Sequence, residues 1–151
     1  MEDSGSKSLF SGTYEHSLDD KSRLTIPSVF RKDFADGVVL RKEREGSVEV
    51  LPRAAWEQFL AKLQRVPRTD QKAQRWMTQQ LASAVMTELD KQGRVVLGSD
   101  LKSHAGLQAG PVVVTGALDR LKVWSPVRWA EMQREMEMED LDGYIYEAYQ
   151  I

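Results

Sequence analysis

The chain has 151 residues, 21 of them basic and 23 acidic, a net charge of −2, 41% hydrophobic residues and no cysteine. That length suits one compact domain or two small fused ones, and the apolar content is adequate for a core. The missing cysteines exclude disulfides, thiolate catalysis and cysteine-based zinc sites, and no apolar run approaches the roughly 18 residues of a transmembrane helix.

The opening Met1-Glu2-Asp3-Ser4-Gly5-Ser6-Lys7-Ser8 is polar, lacks the regions of a signal peptide and reads as a disordered extension over residues 1–8. With the lack of cysteine, this predicts a cytoplasmic protein. Residues 13–18 alternate after Gly12 and predict a strand. Asp19 to Ser22 reads as a turn, because Asp bonds its own backbone there. Residues 23–26 predict a short strand, ended by Pro27, which pre-sets a helix over residues 28–34. Strands are predicted over residues 38–41 and 47–51. Pro52 then opens a helix whose Trp56, Phe59, Leu60 and Leu63 form one apolar stripe. A linking helix over residues 70–81 carries Ala73, Trp76, Met77 and Leu81 on one face.

The second half repeats this order. Residues 84–89 predict a strand, Asp90 to Gly93 a turn, 94–97 a strand and 99–105 a helix. Strands follow at 112–114 and 121–124, and Ser125 caps a last helix with Pro126 at its first position. The repeat is clearest where the chain reads Leu18-Asp19-Asp20-Lys21-Ser22-Arg23-Leu24-Thr25-Ile26 and then Leu89-Asp90-Lys91-Gln92-Gly93-Arg94-Val95-Val96-Leu97. Asp19 to Asp90, Val38 to Val112 and Trp56 to Trp129 are offset by 71, 74 and 73 residues. One such unit is too small to bury its own apolar face well, so two copies are expected to close a shared core around a pseudo-twofold axis.

Few groups are available for chemistry. His16 and His104 are the only histidines, each on a predicted strand or helix without a partner at metal-ligand spacing. No Gly-x-Ser-x-Gly, phosphate loop or Gly-x-Gly-x-x-Gly occurs, and Gly106 and Gly110 merely flank a turn. Asp19 and Asp90 each have an arginine four residues on, which keeps them ionised and unsuited to general acid work. No enzyme, cofactor, metal or small-molecule substrate is therefore expected. The Asp–Arg pairs have two readings. They are either local pins of a hairpin, contributing about 0–1 kcal/mol, or carboxylates that aim a guanidinium at phosphate or guanine. Lys21 and the later Arg31, Lys32, Arg41, Lys42 and Arg44 favour the second. Residues 1–75 carry 14 basic and 12 acidic groups, whereas residues 76–151 carry 7 and 11. Six acids cluster at Glu131, Glu135, Glu137, Glu139, Asp140 and Asp142. A polyanion responds to the local field, so an acidic C-terminal helix turned away from a basic face is compatible with DNA binding. Met132, Met136, Met138, Tyr144, Tyr146 and Tyr149 read as core or subunit interface.

Phe10-x-Gly12, the run from Leu18 to Pro27 and Phe30-Arg31 together resemble the opening of MraZ family proteins. Glu88 to Arg94, and Trp124 followed by Trp129, are similar to that family's second half. The resemblance covers about residues 9–130. It implies an α+β fold of two tandem SpoVT-AbrB-like, swapped-hairpin β-barrel repeats with pseudo-twofold symmetry and flanking helices. The repeats would span residues 11–58 and 84–128, with linking helices at 59–82 and an acidic C-terminal helix and tail at 129–151. It further implies a nucleoid-associated transcriptional regulator that assembles into homo-oligomeric rings. Such a protein binds double-stranded DNA at direct repeats and represses the division and cell-wall gene cluster. The DNA-binding residues carried over are Asp19, Lys21 and Arg23 in the first copy and Asp90 and Arg94 in the second. Ser22 stands where glycine is usual, which predicts a tighter or reshaped first turn. Gln92 stands where the first copy has Lys21, and Gly98 where it has Pro27, so the first loop is expected to carry more of the phosphate binding. The rival readings are an antitoxin-like autoregulator and a ring-forming scaffold whose Asp–Arg pairs are only structural.

Overall fold

The computed structural model describes residues 9–151, so the expected extension over residues 1–8 lies outside the described residues. A first hairpin, β1 (Thr13–Leu18) and β2 (Arg23–Thr25), is followed by a 3-10 helix at Ser28–Phe34, then β3 (Val38–Lys42) and β4 (Val48–Pro52). Two helices, α1 (Arg53–Leu63) and α2 (Gln71–Ala82), lead to the second copy. That copy runs β5 (Val85–Thr87), β6 (Arg94–Val96), α3 (Ser99–Ala105), β7 (Gly110–Gly116) and β8 (Leu121–Trp124). The chain then forms α4 (Pro126–Glu137) and α5 (Leu141–Tyr149). Among the described residues, no helix is long and apolar enough to cross a membrane.

All eight strands form one antiparallel sheet in the order β5-β3-β4-β8-β7-β1-β2-β6. Its two edge strands, β5 and β6, are consecutive in the chain, so the sheet curls into a nearly closed barrel. Most neighbours come from opposite repeats. β2 pairs with β6 about Leu24↔Val95, and β4 with β8 about Glu49↔Lys122. At the repeat offsets these are equivalent positions, so a pseudo-twofold axis passes through both pairs. The same symmetry maps Tyr14↔Val114 of β1·β7 onto Val85↔Leu40 of β5·β3. The shared core expected from the short repeat is therefore present, and it is built by interleaving strands of the two copies.

Burial explains the strand patterns. Leu18, Leu24, Ile26, Val38, Leu40, Val48, Val50, Val95, Leu97, Val112, Val114, Leu121 and Val123 fill one cluster with Phe10, Phe30 and Phe34. Val39 and Leu51 point the other way, beneath Ala55 and Trp56 of α1. Strands β3 and β4 are thus covered on both faces, which is why they read as continuous apolar runs rather than alternating ones. Glu49 lies in the β4·β8 wall with its carboxylate 3.0 Å from Arg41 Nε and 3.0 Å from Arg120 Nη1. Arg41 also stacks over Phe59, 4.4 Å from the ring centroid, so a buried ion cluster ties the first repeat to the turn between β7 and β8.

Several elements differ from the sequence expectations. The segment after Pro27 is a 3-10 helix, and the strand before it ends at Thr25. The linking helix forms, capped by Asp70, but none of its residues is buried, and Trp76 and Leu81 are exposed. The C-terminal segment after α4 is a second helix, started by the Asp140 side chain accepting from the Gly143 N–H, rather than a tail. Ser125 caps α4 as its sequence predicts, accepting from Arg128 N–H. Of the C-terminal apolar groups, Met132 is buried, whereas Met138, Tyr144, Tyr146 and Tyr149 are exposed.

Candidate nucleic-acid interface

The two repeated turns are built alike, atom for atom. In the first, Asp19 Oδ1 accepts the Lys21 N–H at 2.9 Å and the Arg23 N–H at 2.8 Å. Its Oδ2 accepts the Arg23 Nε–H at 2.7 Å. In the second, Asp90 Oδ1 accepts the Gln92 and Arg94 N–H groups, both at 2.9 Å, and Oδ2 accepts the Arg94 Nε–H at 2.8 Å. The spacing has a simple cause. An Asp that opens the turn reaches the backbone two and four residues ahead only if the chain folds back at once. The arginine side chain then lies along the same carboxylate.

Both carboxyls are held below the usual carboxylate range. The largest cause is the backbone N–H of the arginine; desolvation, next in size, opposes it, and the hydrogen bond from the guanidinium adds to the lowering. The ion pairs are therefore intact at neutral pH. Each arginine uses only its Nε in this contact. The terminal amino groups of Arg23 and Arg94 have no partner among the described residues, and their side chains are 30% and 23% exposed. Each fork is fixed at its base and open at its tip, which is the state needed to meet a phosphate or a guanine edge with two parallel N–H groups.

The loops stand at the two ends of one antiparallel ladder. Ile26 N–H donates to the Gly93 carbonyl at 2.9 Å, and Leu97 N–H donates to the Ser22 carbonyl at 2.8 Å. Between them runs the β2·β6 ladder, so both loops project from one wall of the barrel. The β4·β8 pair is four strands away in the sheet order, in the opposite wall. The acidic α4 follows β8, a strand of that opposite wall, and two of its carboxylates, Glu131 and Glu135, pair with its own Arg128.

The expected reshaping at Ser22 does not occur. Ser22 adopts φ = 63° and Gly93 φ = 76°, the same left-handed turn, with equivalent backbone hydrogen bonds. What differs is the neighbour. A Cβ on Gly93 would stand 2.4 Å from Arg31 Nε, whereas the Ser22 hydroxyl accepts a hydrogen bond from Lys102 Nζ. A side chain at residue 93 would have to displace Arg31, whereas one is accommodated at residue 22. Gly93→Ala is expected to lower stability by about 1–3 kcal/mol, through left-handed strain and displacement of Arg31. Ser22→Gly is expected to be neutral or mildly stabilising. Thermal melts of the two variants read the difference directly, and equal losses would contradict it.

Not every basic residue of the first repeat joins this surface. Arg41 is buried on Glu49, and Lys42 Nζ lies 3.0 Å from Asp100. Lys21 is exposed at the tip of the first loop. His104 contacts the Glu43 carbonyl oxygen at 2.7 Å, a structural role. His16 sits on β1 with its pKa lowered by burial and then by Arg31, so it is neutral at pH 7. Arg31 belongs to the Phe30-Arg31 pair named in the resemblance, but neither that pair nor the surroundings of Lys102 marks the two residues as loop neighbours. Their signal is the repeat itself, because they stand 71 residues apart, the same offset as Asp19 and Asp90.

The family model described as "MraZ protein, putative antitoxin-like" matches residues 9–78 and 81–143. The "Transcriptional regulator MraZ" of Oenococcus oeni is 38% identical over 123 residues, covering 82% of this chain and 85% of that protein. The protein of the same name from Lactobacillus johnsonii is 36% identical over 140 residues, covering 89% and 97%. That from Mycobacterium tuberculosis is 36% identical over 126 residues, covering 83% and 87%.

Proposed function

Because the chain belongs to the MraZ family, we propose that it is a sequence-specific DNA-binding transcriptional regulator. The observation that carries this reading is the pair of loops on one wall of the barrel whose guanidinium forks are aligned by Asp19 and Asp90 and open at their tips. Asp19 and Asp90 orient, Arg23 and Arg94 contact bases or phosphates, and Lys21 adds a phosphate contact. The relatives named as transcriptional regulators support the same assignment.

One protomer presents too few contacts for tight specific binding. Self-association into a closed ring through heterologous contacts repeats the loops at fixed spacing. DNA carrying repeats at matching spacing then engages several subunits, and effective concentration multiplies the affinity. Exposed apolar groups on β5, α2 and α5, among them Met86, Trp76 and Tyr144, suit such contacts. Bound upstream of the division and cell-wall gene cluster in the cytoplasm, the ring represses by covering the promoter.

Footprinting on the DNA upstream of the chain's own gene, with light scattering on the same sample, tests this reading. The expected result is regularly spaced protection by an oligomer. Absence of protection in a correctly folded, oligomeric protein would favour a scaffold instead. An antitoxin-like autoregulator, the reading favoured by the exposed tyrosines of α5, predicts protection together with a toxin gene next to its own.

A further inference from the structure

We propose that the cavity between α2 and the β3–β4 hairpin binds a mononucleotide, with the base on Trp76 and the phosphate at Arg41 and Arg44. The cavity measures about 390 Å³, within the range of small-molecule sites. None of its lining residues belongs to either Asp-turn-Arg loop, so it is separate from the proposed DNA surface. One side is supplied by α2 through Trp76, Gln79, Gln80 and Ser83. These stand at i, i+3, i+4 and i+7, a single stripe of the helix. The other side is supplied by Arg41 and Lys42 of β3 and by Arg44 of the turn that follows.

Three observations mark this cavity as a ligand site rather than a packing gap. The first is Arg41, which is 9% exposed. Its Nη2 donates to Gln80 Oε1 at 3.0 Å and its Nε lies 3.0 Å from Glu49, but its Nη1 is buried with no hydrogen-bond partner. Among the described residues Arg41 has only the Glu49 carboxylate, which it shares with Arg120, whereas Arg120 has Asp119 as well. Burial holds the Arg41 pKa below the usual arginine range; Glu49 opposes this, and the Arg120 charge adds to it. A phosphate oxygen on Nη1 supplies both the missing acceptor and the missing charge. The second observation is the polarity of the α2 stripe. No residue of α2 is buried, and among the described residues Gln80 makes its only side-chain hydrogen bond to the sheet. A helix face that merely covers a sheet is apolar. This one offers an indole, two amides and a hydroxyl, groups that stack on a base and read its edge. Trp76 also suits a contact between copies, but an apolar contact would place apolar neighbours beside it on the stripe. The third observation is the indole itself. Phe59 meets it at 64° with centroids 6.3 Å apart, which braces the ring without stacking on it. The Arg41 guanidinium lies over that same Phe59, so the platform and the buried cation are held side by side.

The carboxylates that line the cavity are already engaged. Glu43 accepts from the Glu45 N–H and from the Ser47 N–H and hydroxyl, which closes the turn between β3 and β4, and Glu49 holds the two arginines. Lys42 pairs with an exposed carboxylate, Asp100, and Arg44 is exposed with no carboxylate partner among the described residues. The unspent charge is therefore positive and selects an anion. Inorganic phosphate would leave the indole and the amides unused, and a bare nucleoside would leave Arg41 Nη1 unpaired; a mononucleotide satisfies both.

Titration calorimetry and indole fluorescence on the full chain test the site, with the four ribonucleoside monophosphates, the matching nucleosides and inorganic phosphate as probes. At least one monophosphate is expected to bind saturably, one per chain, with quenching of the indole emission and more tightly than its nucleoside or phosphate alone. Trp76→Leu is expected to remove the quenching and to weaken binding roughly five- to a hundredfold, the worth of one base–aromatic stack. Arg44→Gln and Arg41→Lys are expected to weaken the monophosphate and to narrow its advantage over the nucleoside. Thermal melts serve as fold controls, and the exposed Trp76 and Arg44 keep the test decisive if Arg41→Lys does not fold. Arg23→Ala/Arg94→Ala is expected to bind the nucleotide as the parent does. Absence of saturable binding by every monophosphate at millimolar concentration would overturn the proposal. Equal affinity for inorganic phosphate, or undiminished binding by Trp76→Leu, would do the same. Loss of nucleotide binding in Arg23→Ala/Arg94→Ala would place the nucleotide on the loops and also refute the site.

Discussion

Arg23→Ala/Arg94→Ala is expected to abolish specific DNA binding while leaving the protein folded. A bidentate arginine contact to a base is worth about 1–3 kcal/mol of discrimination, so each single variant should weaken binding roughly ten- to a hundredfold. In an oligomer that engages several repeats, every subunit loses the same contacts, and the double variant should retain only weak, sequence-blind binding. Stability should change little, because partly exposed Asp–Arg pairs contribute about 0–1 kcal/mol. Gel shift with own-gene and random competitor DNA measures the first effect and a thermal melt the second. Full specific binding by the double variant would sink the assignment.

The aspartates make a companion demand. Asp19 and Asp90 have folded-state pKa values below the ordinary 3.8, so the stability that they lend the loops is present above that value. It is lost only as pH falls through the still lower folded-state values. Between pH 5 and 8 these two groups therefore stay ionised and contribute no inflection to DNA affinity. Replacing either with alanine at neutral pH removes the acceptor for two backbone N–H groups and releases the arginine, which acid cannot do in that range.

The local half of this architecture is legible in the sequence. Asp19 and Arg23 are four residues apart, and only a tight turn satisfies both, so the loop and its internal pairing follow from the motif. The repeat offsets place the pseudo-twofold axis, because nearly constant spacing at Asp90, Val112 and Trp129 leaves two equivalent units to be related. The long-range half is not legible. Nothing in the order of β1 announces that it pairs with β7, since alternation specifies a face and not a neighbour. Ser22 reads as a misfit to a left-handed turn until Lys102, 80 residues away, is seen to hold its hydroxyl. Arg31 reads as one more basic residue until Gly93 is seen beneath it. The exposed face of α2 carries Trp76 and Leu81 at helical spacing, a pattern that sequence alone equates with burial in the same chain.

Interleaving also dictates what happens when the repeats are separated. A fragment covering residues 9–66 keeps β1 to β4 and α1 but loses the partner strands β7, β6, β5 and β8. Leu24, Ile26, Leu40, Val48 and Val50, all buried in the intact chain, lose the second-repeat members of their cluster. Each such side chain contributes about 1.5–3 kcal/mol when buried. Exposing all five removes about 7.5–15 kcal/mol, as much as the net stability of about 5–15 kcal/mol of a whole domain. The expected result is that the fragment is unfolded at low concentration. At higher concentration it can fold only as a symmetric dimer, with β2 against β2 and β4 against β4, and its melting temperature should then rise with concentration. Mixing it with a fragment covering residues 67–151 should restore the barrel in one-to-one ratio, read by circular dichroism and size-exclusion chromatography. A monomeric 9–66 fragment with a cooperative melt independent of concentration would refute the interleaved core. DNA binding should follow the same course, because the first loop is completed by Leu97 N–H on the Ser22 carbonyl and the second by Ile26 N–H on the Gly93 carbonyl. Neither loop has its full set of contacts in a lone repeat, so duplication supplies the geometry of each site as well as its number.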